Sequence, residues 1–127
     1  MNNKLIFYIC RHCGNIIVKL EDSGVPVVCC GEQMQELLPG TVDATIEKHV
    51  PEVEIINDEV IVKIGKDPHP MVPEHYISWI LIVTNSGYQI KYIKDNSEAI
   101  AVFKTNEKVL AAYEYCNLHG LWVKEID

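Results

Sequence analysis

No apolar run in this chain is long enough to cross a bilayer. The longest mostly apolar stretches, such as residues 77–83, fall far short of the ~20 residues a spanning helix needs. The N-terminus has no full signal-peptide core or cleavage site, because Met1-Asn-Asn-Lys-Leu-Ile-Phe-Tyr-Ile runs directly into Cys10. A cytoplasmic protein without membrane association is the expectation. A basic excess is also missing. Eleven Lys and Arg stand against eighteen Asp and Glu, for a net charge of −7. Nucleic acid, which selects basic stripes, is therefore an unsuitable partner. Residues 1–38 carry −1 of this charge and the remainder carries −6. A small anionic substrate would have to be drawn in locally, against the field of the whole protein. There is no helical periodicity, no repeat and no low-complexity tract. Composition is nevertheless that of a folded domain, 48% apolar and 23% charged.

Five cysteines and five histidines are present. In a reducing compartment, clustered cysteines point to metal binding or redox chemistry rather than to structural disulfides. Cys10-x-x-Cys13 is followed after fifteen residues by the adjacent pair Cys29-Cys30, a complete four-sulfur set. A knuckle turn ending at Gly14 lets backbone N–H groups face the sulfurs. All-thiolate sites accept zinc or iron. Zinc modules usually space both pairs, so the adjacency of Cys29 and Cys30 favours iron. His12 lies inside the first pair but reads as a surface residue, since four sulfurs complete the shell.

The fifth thiol, Cys116, sits three residues before His119 and belongs with His49, His69 and His75. Pro68, Pro70 and Pro73 stiffen the loop bracketed by His69 and His75, so both rings can be presented at low entropic cost. Four imidazoles and one thiolate exceed the four ligands zinc takes and do not match a copper set of two histidines and a cysteine. They suit five-coordinate iron with one open position, the cysteine opposite the vacancy. A thiolate there pushes electron density onto iron. The expected chemistry is one-electron redox on a small oxygen-derived ligand. In Glu47-Lys48-His49, Lys48 would supply the local positive charge that attracts an anion, and Glu47 would cap the vacant position or organise water for proton delivery.

Hydrophobic alternation makes the chain all-β. Residues 5–9, 16–20 and 25–28 read as short strands of a small metal-stapled module spanning 1–38, with Pro39-Gly40 as the boundary. In 39–127, strands are expected at 53–56, 60–64, 77–83, 90–93, 99–103, 109–115 and 121–123, separated by frequent turn signals. About seven short strands of this kind fit an immunoglobulin-like β-sandwich.

Cys10-Arg-His-Cys13-Gly-Asn, Cys29-Cys30-Gly, Glu47-Lys48-His49-Val-Pro, His69-Pro-Met, Glu74-His75-Tyr-Ile and Cys116-Asn-Leu-His119-Gly-Leu-Trp together resemble desulfoferrodoxin, the two-iron form of superoxide reductase. The resemblance runs in order from about residue 5 to residue 125. It implies a desulforedoxin-like first domain with iron on four cysteines. It also implies an immunoglobulin-like second domain whose iron is held by His49, His69, His75 and His119 in the equator and Cys116 axially. By the same resemblance, superoxide binds the sixth position and takes one electron and two protons to give hydrogen peroxide without dioxygen. Lys48 attracts superoxide, and Glu47 ligates the ferric iron or assists product release. Rubredoxin-like or other cellular electron donors and a homodimer are also implied. Two alternatives remain: an iron electron-transfer protein that turns over no substrate, and a zinc-stabilised binding module.

Overall fold

The computed structural model describes residues 5–40, 49–65, 70–93 and 98–126. Glu47, Lys48 and His69, each given a role above, lie outside the described residues. The described residues contain strands and turns and no helix, so none of them forms a helix that could cross a membrane. The chain divides into two compact units, Met1–Leu38 and Pro39–Asp127.

In the first unit, β1 (Phe7–Ile9) is the centre of a three-stranded antiparallel sheet between β2 (Ile16–Val18) and β5 (Gln35–Leu37). A two-stranded hairpin, β3 (Val28–Cys29) with β4 (Glu32–Gln33), makes up the rest. Among the described residues of this unit only Phe7, Ile9, Cys10 and Leu37 are buried apolar side chains. That is too little core to hold a segment of this size without a staple. Neither β4 nor β5 is legible in the sequence. Apart from the buried Leu37 that ends β5, their residues are polar and exposed, so they lack the apolar alternation that marks a half-buried strand.

The described residues of the second unit form seven strands in two antiparallel sheets. One has the order β10 (Ile100–Lys104), β7 (Glu59–Ile64), β6 (Pro51–Ile56). The other runs β12 (Gly120–Glu125), β11 (Val109–Cys116), β8 (Ile77–Thr84), β9 (Tyr88–Tyr92). Val60, Val62 and Ile64 from β7 and Ala101 and Phe103 from β10 pack against Ile80 and Ile82 of β8 and Ala112 and Cys116 of β11. This is the immunoglobulin-like sandwich expected from the strand pattern. At one open side, β9 and β10 are joined through side chains: Lys91 donates to Val102 O and Gln89 to Lys104 O.

Two local backbone features stand out, the second of them beside Cys116. The turn after β6 consists of Asn57 and Asp58, and Asn57 takes a left-handed φ of 56°, which asparagine tolerates. In the β8–β11 ladder, Tyr115 faces Trp79 but Cys116 faces Ile77, so Ser78 is an extra residue in β8. Such a bulge twists the ladder and re-aims neighbouring side chains. Here it falls beside Cys116.

Candidate metal centres

Cys10, Cys13, Cys29 and Cys30 bring their sulfurs together, all within 4.8 Å of one another. The knuckle is closed by Gly14 N–H to Cys10 O at 2.8 Å and Cys10 N–H to Asn15 O at 2.9 Å, with Gly14 at φ 85°. How two adjacent cysteines can serve one ion is answered by the β3–β4 hairpin. Cys29 pairs with Glu32, leaving Cys30 and Gly31 as the two turn residues, at φ 54° and 77°. Positive φ at both is the signature of a type I′ turn. Glycine takes it freely, whereas Cys30 bears a cost of about 1–2 kcal/mol. The ligand position therefore overrides local preference.

The sulfur geometry suits one ion. Cys13 Sγ and Cys29 Sγ are 3.6 Å apart, close to the ~3.8 Å edge of a tetrahedron with ~2.3 Å metal–sulfur bonds. Asn15 Nδ2 donates to Cys29 Sγ at 3.6 Å. The Cys13 backbone N–H, hydrogen-bonded to the Cys10 sulfur, lowers the Cys10 thiol to about 6. Hydrogen bonding to the Cys10 sulfur is the main cause that pushes Cys30 up to about 12, and Cys29 is raised chiefly by Cys13. Cys10 is thus favoured as a thiolate while Cys29 and Cys30 favour the protonated thiol, and a bound cation would draw off those protons. His12 is exposed, with Nε2 2.8 Å from Glu32 Oε1, and is not in the sulfur cluster.

The second cluster is His49, His75, Cys116 and His119, whose donor atoms also lie within 4.8 Å of one another. Two donors on opposite sides of an ion at ~2.0–2.3 Å are ~4–4.6 Å apart, so this spread fits a single ion. His49 precedes β6 and is 2% exposed. Cys116 ends β11 and is fully buried. His75 is half-buried before β8, and His119, in the turn between β11 and β12, is exposed. The thiol thus sits at the dry end and the site opens on the His119 side. Cys116 Sγ lies 3.8 Å from His119 Nδ1. The His119 ring meets those of His49 and His75 edge-on, at 4.9 and 5.0 Å. Imidazole and thiolate donors of this kind suit a redox-active transition metal.

Several further residues, to which the sequence reading gives no role of their own, surround this cluster. Trp122 stacks on His49 and donates Nε1–H to His119 O at 3.2 Å, touching two of the candidate ligands. Glu114, two residues before Cys116, is completely buried. Met71 Sδ accepts the Ile77 N–H at 3.3 Å, tying the loop that carries His75 to the start of β8. No spacing rule identifies such supports in the sequence.

Fold and donor sets define a two-unit, all-β metalloprotein with one all-sulfur centre and one histidine–cysteine centre. Residues 41–125 match the desulfoferrodoxin family and residues 2–37 match its N-terminal domain, so the chain belongs to the desulfoferrodoxin family. The desulfoferrodoxin of Syntrophotalea carbinolica is 42% identical, covering 98% of this chain and 99% of the relative. That of Nitratidesulfovibrio vulgaris is 40% identical over the same shares. In structure, the superoxide reductase from Treponema pallidum aligns with a TM-score of 0.84 at 35% identity, over 98% of this chain and all of that one. A one-iron superoxide reductase from Giardia intestinalis aligns over 64% of this chain and 98% of its own length, TM-score 0.55, 32% identical. The two clusters are accordingly the desulforedoxin-like centre and the iron centre of desulfoferrodoxin.

Proposed function

We propose that this chain reduces superoxide to hydrogen peroxide by one electron, releasing no dioxygen, at the centre of His49, His69, His75, His119 and Cys116. The observation that carries this reading is the convergence of His49, His75 and His119 with a fully buried Cys116 thiol, in a site exposed on one side only. When bound, the iron supplies the electron. Superoxide, one electron and two protons balance to one hydrogen peroxide.

The residues divide the remaining work. Cys116 presents a thiolate from the dry side, where low polarity strengthens its donation. The imidazoles hold the lower oxidation state within reach. Lys48 gathers superoxide against the net charge of −7. Glu47 assists product release or orders water for proton delivery. Cys10, Cys13, Cys29 and Cys30 hold the first iron in a domain of residues 1–38, and 39–127 form the catalytic domain. A rubredoxin-like or other cellular donor returns the electron, in a cytoplasmic homodimer.

The test is stoichiometric. The reduced protein is mixed anaerobically with superoxide, and peroxide and dioxygen are quantified per superoxide consumed. About one peroxide with no dioxygen, while the protein oxidises, is the expected result. Half a peroxide with accompanying dioxygen means dismutation. A rate no faster than the protein-free control leaves an electron carrier.

A further inference from the structure

We propose that Asn117 is a positioning residue that clips the His75 loop to the Cys116–His119 turn and so sets the geometry of the histidine–cysteine centre. The clip rests on three hydrogen bonds across more than forty residues of chain. Asn117 Oδ1 accepts the Tyr76 N–H at 2.8 Å, and Asn117 Nδ2 donates to Glu74 O at 3.0 Å. The Asn117 backbone N–H donates to Tyr76 O at 3.1 Å. The carboxamide thus grips the residues on both sides of His75, from a position between Cys116 and His119.

Each element alone is loosely determined. The His75 side is a tight turn, closed by reciprocal Val72 and His75 backbone hydrogen bonds at 3.0 Å, with Pro73 and Glu74 at its tip and exposed. The backbone bonds of that turn are internal to it, and Met71 Sδ, accepting the Ile77 N–H, ties it to β8 rather than directly to β11. The turn holding His119 is three residues long, between Cys116 and Gly120, which pair. Asparagine suits the task because its side chain offers an acceptor and a donor a short, fixed distance apart. Those two groups match the N–H of Tyr76 and the carbonyl of Glu74, which lie on either side of one ligand. Aspartate keeps only the acceptor, and alanine keeps neither. Supports of this kind around a ligand characteristically change metal affinity 10–100-fold when removed.

The inference rests on His75, Cys116 and His119 being ligands, and its test separates the two ideas. Iron loss to a chelator is followed in the reduced holoprotein for wild type, Asn117→Ala and Asn117→Asp. The all-cysteine centre of the same molecule serves as internal reference, and the visible absorption of each oxidised centre is recorded. Asn117→Ala is expected to lose iron from the histidine–cysteine centre about 10–100-fold faster. Its thiolate-to-iron band should shift while the all-cysteine centre keeps its spectrum and rate. Asn117→Asp should fall between alanine and wild type. A wild-type rate and spectrum in Asn117→Ala overturn the clip, as does equal acceleration at both centres, which marks general destabilisation. If Asn117→Ala does not accumulate folded, Asn117→Asp decides alone, and wild-type behaviour there overturns it. Should wild type itself lack a histidine–cysteine iron signal, the ligand assignment fails instead.

Discussion

The indole of Trp122 lies flat on the imidazole of His49, centroids 4.8 Å apart and planes within 13°. Behind it is Gly40, paired with Trp122 as a parallel bridge and bonded through Gly40 N–H to Leu121 O and Val123 N–H to Gly40 O. A Cβ at Gly40 would stand 2.7 Å from Trp122 Cε3 and Cζ3, which forces the ring to move. Gly40→Ala is therefore expected to cost about 1–3 kcal/mol in denaturant unfolding. It should also alter the absorption of the iron bound by His49, and adding Trp122→Phe should restore part of the stability. An unmoved unfolding midpoint and spectrum would show that Trp122 does not buttress His49.

Replacing Cys116 by serine removes the thiolate with little change of volume at a fully buried position. The sandwich should persist, the thiolate-to-iron absorption of that centre should vanish, and superoxide consumption should fall to background, because the electron donation is gone. Visible spectroscopy and stopped-flow kinetics check both parts. Unchanged turnover would remove Cys116 from the chemistry.

For Lys48→Ile the expectation is kinetic. The second-order rate with superoxide should drop and its dependence on ionic strength should flatten, since a local cation at an acidic protein acts through a screened field. Rates measured across a salt series decide this. An unaltered slope would mean that other charges steer the anion.

Metal removal should affect the two units differently. Chelation at the all-cysteine centre, or Cys30→Ser, removes the staple of a unit whose described buried apolar side chains are Phe7, Ile9, Cys10 and Leu37. Loss of dispersed amide signals from residues 5–38 is expected, while those of the sandwich stay dispersed. Full dispersion after chelation would show that the small core suffices.

Glu107 offers a pH-dependent contribution away from both centres. Its carboxylate accepts Ser86 Oγ–H and Thr84 Oγ1–H, the latter at 2.6 Å, and the Ser86 bond is the first cause that holds its pKa below the ordinary 4.5. A depressed folded-state value gives stability that is present above 4.5 and lost as pH falls through the folded value. Glu107→Gln should thus be slightly less stable than wild type at neutral pH and converge with it in acid. Urea midpoints from pH 7 downward test the sign, and a gap that widens in acid would contradict it.

Much of the architecture was legible because strands with one buried face alternate, as 60–64 and 100–104 do. β4 and β5 were not, since apart from Leu37 their residues are exposed and the strands are held mainly by pairing. Among the ligands, Cys10 and Cys13, like Cys116 and His119, are set by short covalent spacing. The adjacency of Cys29 and Cys30 does not show in the sequence how both can reach one ion; the hairpin does this by placing Cys30 in a left-handed turn position.

What the sequence by itself determined is the donor chemistry: four thiols in one short segment, and a fifth thiol with histidines in another. Ligand types and local spacings are covalent facts. Only the tertiary structure decided that His49 and His75, far apart in the chain, reach Cys116, and that Trp122, Gly40, Asn117 and the bulge at Ser78 hold them there. Those contacts depend on strand register and loop closure across the sandwich, which arise from the packing of the whole unit and have no local signature.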